Sequence, residues 1–163
     1  MEILAHFTRR ETTKSERMEA LEALPWAWDL NFELLSDFAS YLLTYELQEG
    51  QFLFQEGDKS AFMVLLIEGK IEIRKQKSSE EEVLLVRFQE GNVFGEMPLL
   101  DGRPRSASAI SVQRSLVYLL TKEAFFQMKK EHPRLALVIT FKLARILSER
   151  LRKTTGEWAG LLG

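Results

Sequence analysis

Short apolar runs separated by glycines fill the middle of the chain, and this pattern most limits the folds open to it. The glycines stand at 50, 57, 69, 91, 95 and 102. The runs between them predict strands at 45–48, 51–54, 61–67, 70–76, 82–88, 107–113 and 115–120. In the run at 70–76, charged residues alternate with Ile71 and Ile73, as expected for a strand with one buried face. Many short strands joined by glycine turns indicate a β-barrel or jelly roll.

Helical periodicity flanks the strand region on both sides. It predicts helices at 14–24 and 30–43 before the strands, and at 122–131 and 133–154 after them. Asn31 or Asp29 can cap the second helix, Thr121 can cap the third, and Pro133 suits the first turn of the fourth.

The order of these elements predicts a mainly β domain with flanking helices. Its length of 163 residues fits one domain. We divide it into an N-terminal helical segment at 1–44, a β-barrel at 45–121 and C-terminal helices at 122–163.

Two motifs lie in the strand region. The first runs Leu-x-x-Gly-x-x-Leu-Phe-x-x-Gly-Asp over 47–58 and is followed by Gly-Lys-Ile at 69–71. The second, at 94–107, reads Phe-Gly-Glu-Met-Pro-Leu-Leu-Asp-Gly-Arg-Pro-Arg-Ser-Ala, with Glu96 and Arg105 nine residues apart. Together and in this order they resemble the cyclic nucleotide-binding domain family, and the second resembles its phosphate-binding cassette. The resemblance covers roughly 30–155.

The resemblance implies a fold and a function. The fold is an eight-stranded jelly roll with N-terminal helices and C-terminal B and C helices. The function is non-enzymatic sensing of a 3′,5′-cyclic mononucleotide, with cyclic AMP favoured and cyclic GMP possible. Binding would rearrange the C-terminal helix, and an unknown downstream protein would receive the signal. The alternative is a barrel that binds no nucleotide and serves protein–protein contact or dimerisation.

The resemblance also implies roles for individual residues. Gly95 would let the ribose approach the backbone, and Glu96 would accept a hydrogen bond from its 2′-hydroxyl. Arg105 would bind the cyclic phosphate, because a guanidinium presents a fork of donors to an anion's oxygens. Ser106 can reach the phosphate or a guanine amino group. The remaining candidate contacts are Phe94, Met97, Ala107 and Val86.

A structural interpretation of these residues remains open. Gly95 can simply serve a turn, and Glu96 and Arg105 can form an ion pair that caps it. The chain also departs from the family pattern at Pro98, where most members carry a residue with a backbone N–H. Proline has no such donor, although it suits the first turn of a helix and can preorganise the cassette.

The C-terminal helix at 133–154 is apolar on more than one face. One stripe carries Leu137, Phe141, Ala144, Leu147 and Leu151. Neighbouring faces carry Leu135, Ile139, Leu143 and Ile146. Such a helix must bury more than one face, and the resemblance implies a homodimer through it. Thr154 and Thr155 resemble the pair that meets adenine in catabolite activator-type regulators, but they can equally well terminate the helix.

Composition narrows the remaining choices. The net charge of −2 and a sequence without cysteine give no sign of nucleic-acid binding, disulfides or thiolate chemistry. We expect the basic residues between 142 and 153 to be a solvated helix face. The only histidines, His6 and His132, lie outside the barrel, so we expect neither a metal nor catalysis. Lacking a long apolar run or a signal-peptide pattern, the chain is expected to be cytoplasmic, with no membrane contact.

Overall fold

The computed structural model describes residues 7–78 and 81–161, with side chains as far as Gly156. The chain forms two compact units, the first ending at Phe125 and the second beginning at Phe126. The three-segment division made from the sequence stays a prediction.

The N-terminal part of the first unit is helical. Helix α1 spans Lys14–Glu22, a single 3-10 turn spans Pro25–Ala27, and α2 spans Phe32–Ser40. Asn31 caps α2, since its Oδ1 accepts the Leu34 N–H at 2.9 Å. The helix was predicted to extend to residue 43, but it ends at Ser40. Leu43 fits the helical period, but it begins a strand.

The described residues contain nine strands. They are β1 Thr8–Arg9, β2 Leu43–Leu47, β3 Phe52–Phe54, β4 Phe62–Glu68, β5 Lys70–Gln76, β6 Glu82–Gln89, β7 Val93–Phe94, β8 Ser108–Ser111 and β9 Ser115–Thr121. All pairings are antiparallel. One sheet has the order β1-β2-β9-β4-β7 and the other β3-β8-β5-β6.

The predicted fold class is confirmed, with one correction. Within the described ranges the two sheets are not joined by strand pairing, so they do not form a closed barrel. Side chains from both sheets hold the structure together instead. Leu47 and Leu119 of the first sheet and Leu53 and Ile71 of the second are fully buried in one cluster. The two sheets thus share a single apolar core.

Two helices follow the sheets. Helix α4 spans Lys122–Glu131 and α5 spans Pro133–Leu161. Thr121 Oγ1 accepts the Ala124 N–H at 3.2 Å, which confirms the predicted cap. The expectation that Thr154 and Thr155 terminate the last helix is wrong. The Thr155 hydroxyl donates to the Leu151 carbonyl at 2.8 Å, and the helix continues past it.

Helix α5 carries apolar side chains on opposite faces. One row is buried and includes Leu135, Ile139 and Leu143. The other is exposed and includes Leu137, Phe141 and Leu151. The basic residues are not all solvated as expected, because Lys142 is buried. In the described part of the chain, no helix is long and apolar enough to cross a membrane.

The shared core gives a direct test of the fold. Leu119 lies on the central strand β9 and is completely buried, so Leu119→Ala removes contacts to both sheets. We expect it to lower the free energy of unfolding by about 2–5 kcal/mol in urea denaturation. Leu85→Ala, at a side chain that is 54% exposed on β6, is the matched control, with an expected change of about 0.5 kcal/mol or less. Equal losses in the two variants would contradict a core shared between the sheets.

Candidate functional site

The cassette at 94–107 folds as a short strand end, a helical turn and a loop that enters β8. Phe94, the last residue of β7, is buried and stacks on Phe88 of β6, with ring centroids 4.8 Å apart. Helix α3 spans Met97–Asp101. Gly102 ends α3 in the left-handed conformation and donates its N–H to the Pro98 carbonyl at 3.1 Å. The sequence predicted neither β7 nor the bounds of α3.

Arg105 is the central residue of this region and is only 3% exposed. Its Nη1 donates to the Gly95 carbonyl at 2.7 Å, and its Nη2 donates to the Phe62 carbonyl at 3.1 Å. Its Nε donates to the Ser60 hydroxyl at 3.2 Å. Three fixed acceptors therefore define where the guanidinium lies.

Aromatic rings form the surroundings of this guanidinium. Its Cζ lies 3.9 Å from the ring centroid of Phe54 and 4.3 Å from that of Phe62, which is cation–π geometry. Burial lowers the pKa of Arg105 to about 10, although the charges of Asp58 and Glu96 act in the opposite direction. The side chain therefore keeps its positive charge at neutral pH.

The backbone conformation at position 95 and the closeness of Arg105 both favour glycine there. Its φ is +73°, in the region that favours glycine. A Cβ at this position would lie 3.1 Å from Arg105 Nη1 and 3.3 Å from Phe54 Cε1. A larger residue would therefore crowd the guanidinium as well as strain the backbone.

Glu96 connects the site to α3. It is 1% exposed and precedes the helix as its N-cap residue. Its carbonyl accepts the N–H groups of Leu99 at 3.0 Å and Leu100 at 3.3 Å. Pro98 lies in the first turn, as expected, where a missing N–H costs α3 no internal hydrogen bond.

The other candidate residues differ in their exposure. Ala107 is buried, Ser106 is exposed, and Met97 is 45% exposed at the start of α3. Val86 is half-buried on β6, opposite Ile73.

The structure brings Gly95, Glu96 and Arg105 together in the first unit. Thr154 and Thr155 belong to the second unit, where both are exposed.

The sequence did not predict the residues that hold Arg105 from the β3–β4 connection and the start of β4. Ser60 and Phe62 come from a segment more than forty residues earlier, and Phe62 contributes both its carbonyl and its ring. Phe54 belongs to the first motif, but nothing in its spacing predicts that it underlies the guanidinium. Asp58 is the last residue of the first motif. Its carbonyl accepts the Arg105 N–H at 2.8 Å, while Gly57 donates its N–H to the Arg105 carbonyl at 2.9 Å.

Comparison of the sequence with known protein families identifies the family of this chain. Residues 45–132 match the sequence profile described as the cyclic nucleotide-binding domain. The match covers more than half of the chain and includes the whole cassette. The chain belongs to the cyclic nucleotide-binding domain family.

Individual relatives agree with this assignment. The chain is 30% identical over 118 residues to the cyclic AMP receptor protein of Thermus thermophilus, covering 72% of this chain and 53% of that protein. It is 27% identical over 136 residues to a CRP-like cAMP-activated global transcriptional regulator of Mycobacterium tuberculosis, covering 80% of this chain and 59% of that protein. The chain thus spans between half and three fifths of these curated relatives.

A solved structure shows the same fold. The cyclic nucleotide-binding domain from Methylobacillus flagellatus superposes with a TM-score of 0.81, at 22% identity, over 94% of this chain and 88% of that one. At this identity the similarity concerns the fold, including the pair of antiparallel sheets and the flanking helices.

The close approach at Gly95 predicts how this cyclic nucleotide-binding domain responds to an added methyl group. Gly102→Ala is the control, since Gly102 also has a positive φ, of +70°, but has open space around its Cβ position. We expect Gly102→Ala to lower the free energy of unfolding by about 1–2 kcal/mol through backbone strain alone. Gly95→Ala should cost about a further 1–3 kcal/mol because it crowds Arg105 and Phe54. Equal losses in denaturant titrations would show that the guanidinium does not restrict position 95.

Proposed function

We propose that this chain is a non-enzymatic sensor that binds a 3′,5′-cyclic mononucleotide through the cassette at 94–107. The observation that carries the proposal is the buried, charged guanidinium of Arg105. Three of its five N–H groups have acceptors among the described residues, which leaves one on each terminal nitrogen. A guanidinium that keeps one N–H on each terminal nitrogen can donate to the two free oxygens of a cyclic phosphodiester.

The neighbouring residues supply the sugar contacts in this proposal. Glu96 accepts a hydrogen bond from the ribose 2′-hydroxyl, the one sugar hydroxyl that a 3′,5′-cyclic nucleotide leaves free. The absence of a Cβ at Gly95 lets the sugar approach the backbone. Ser106 adds a hydroxyl near the phosphate, and Phe94, Met97, Ala107 and Val86 provide apolar surface for the sugar or base.

Cyclic AMP is the ligand we propose first. Both relatives described above carry cyclic AMP in their names. Thr154 and Thr155 resemble an adenine-contacting pair, which favours the same base. Cyclic GMP is the competing ligand, because the hydroxyl of Ser106 can accept from a guanine amino group in the syn conformation.

The proposed output passes through α5. Its exposed row extends from Leu137 through Phe141 to Leu151 on the face opposite its buried row. Spacings of three and four residues, as between Leu137, Phe141 and Ala144, are those of a two-helix seam. We propose that two copies pair along this row, and that nucleotide binding shifts the population between two packings of the helix. A downstream protein then receives the signal.

The binding proposal is tested by calorimetric titration with cyclic AMP and cyclic GMP. We expect wild type to bind at least one of them and Arg105→Gln to lose affinity by at least about thirtyfold, because the phosphate loses a buried charged partner. Glu96→Gln should lose about tenfold. The matched control is Arg103→Gln, an exposed arginine of the same loop, which should bind like wild type.

Thermal denaturation of each variant separates lost binding from lost folding. If folded wild type, purified free of nucleotide, gives no saturable heat with either ligand, the sensor proposal is wrong. The domain would then be a module for protein contact.

The proposed pairing of two α5 helices predicts that a substitution in the exposed row converts a dimer into a monomer. Phe141 is 69% exposed in the middle of the row, and Phe141→Glu would place a charge inside a paired seam. We expect sedimentation equilibrium to give a dimer for wild type and a monomer for Phe141→Glu. Lys153→Glu, an exposed change on a different face of α5, should remain dimeric. A monomeric wild type across micromolar concentrations, with or without nucleotide, would rule out this seam.

A further inference from the structure

Lys75 makes two contacts that the family motifs do not include. It lies on β5, and its Nζ donates to the backbone carbonyl of Ser106 at 2.8 Å. The same ammonium donates to Glu56 Oε1 at 2.7 Å. Lys75 thereby joins the second sheet to the cassette loop and to the turn that follows β3.

Glu56 completes this connection. Its second carboxylate oxygen accepts the Gln76 N–H at 3.1 Å, and its own N–H donates to the Ser108 hydroxyl at 2.9 Å. The hydrogen bonds from Lys75 and Gln76 lower the pKa of the Glu56 carboxyl, so it is ionised at neutral pH.

These contacts converge on the segment that carries the proposed phosphate ligand. We call residues 105–108 the exit arm, since they lead from the cassette into β8. Besides the three hydrogen bonds of the Arg105 side chain and the β5–β8 pairing at Ser108, four hydrogen bonds hold the exit arm: the two backbone bonds that link Arg105 to Gly57 and Asp58, the Glu56–Ser108 bond and the Lys75–Ser106 bond. The Lys75–Ser106 bond is the one of these four that a charged side chain makes.

We propose that Lys75 and Glu56 are positioning residues for the cyclic nucleotide, which lock the exit arm so that Arg105 meets the phosphate already oriented. This inference rests on the proposed function. Neither residue needs to touch the ligand. When the exit arm is already ordered, binding does not cost the entropy of ordering it. Loss of the Lys75 and Glu56 contacts should therefore weaken binding, mainly through faster dissociation of the nucleotide.

The location of the pair separates this role from a structural one. The side chains of Lys75 and Glu56 are 48% and 33% exposed. An ion pair this exposed contributes little to global stability. Its effect on the exit arm is local, because the ammonium bonds a carbonyl within the arm itself.

The chain offers a matched control on the same hairpin. Lys77 pairs with Glu81 at 3.2 Å, and both side chains are more than half exposed. Lys77→Met therefore removes one charge and one surface ion pair, as Lys75→Met does, without touching the cassette. Lys75→Arg keeps a cationic donor and tests rescue.

The experiment measures ligand binding, thermal stability and hydrogen exchange, with cyclic AMP and cyclic GMP as the probes of binding. Calorimetry and stopped-flow dissociation should show Lys75→Met and Glu56→Gln binding about three- to tenfold more weakly than Lys77→Met, with Lys75→Arg restoring most of the loss. Thermal midpoints of the two methionine variants should agree. Hydrogen exchange without nucleotide should be faster at the Gly57 and Arg105 amides in Lys75→Met and Glu56→Gln, but not in Lys77→Met.

The outcomes distinguish this inference from the function on which it rests. Equal affinities in Lys75→Met and Lys77→Met would overturn the positioning role and leave the sensor proposal intact. Unchanged exchange at the Gly57 and Arg105 amides would overturn the lock itself, whether or not nucleotide binds. A wild type that binds neither nucleotide would remove the sensor proposal, and the positioning role with it, even if exchange is faster in Lys75→Met.

Discussion

The burial of one positive charge organises this domain. A guanidinium that is almost inaccessible to water costs free energy unless its donors are bonded. Here the backbone carbonyls of Gly95 and Phe62 and the hydroxyl of Ser60 accept its N–H groups, and the guanidinium carbon lies over the rings of Phe54 and Phe62. Since these groups come from separate parts of the first unit, Arg105 holds the cassette against Ser60 of the β3–β4 connection and Phe62 at the start of β4. The proposed phosphate contact and local stability therefore depend on one side chain.

Regular periodicity explains which elements could be predicted. The strand at 70–76 and the helix at 122–131 have the bounds expected from the sequence, because clear turn or capping signals flank them. Strands β1 and β7 were missed, since two residues carry no period. A different cause explains why the predicted second helix was longer than α2. Leu43 continues a helical stripe, but pairing with Leu119 of β9 overrides the local preference.

Some residues of the candidate site are close in sequence, and others are brought together only by the fold. Gly95, Glu96 and Arg105 were predicted as site residues because they fall within one short motif. The groups that orient Arg105 were not, because sheet register brings Ser60 beside it from 45 residues away. Lys75 and Glu56 are similar, since the contact between them depends on the pairing of β5 with β8 and of β8 with β3. No spacing in the sequence encodes those distances.

The double role of Glu96 has a mechanical consequence. Its carboxyl group is the proposed acceptor for the ribose hydroxyl, while its carbonyl oxygen accepts the N–H groups of Leu99 and Leu100 in the first turn of α3. A rotation of the peptide at 96 would turn that oxygen as well and so reorient α3. Met97 and Leu100, two of the more exposed apolar side chains of α3, would move with the helix. In the proposed complex, a small displacement at the sugar hydroxyl would therefore change the apolar surface that the domain exposes to solvent.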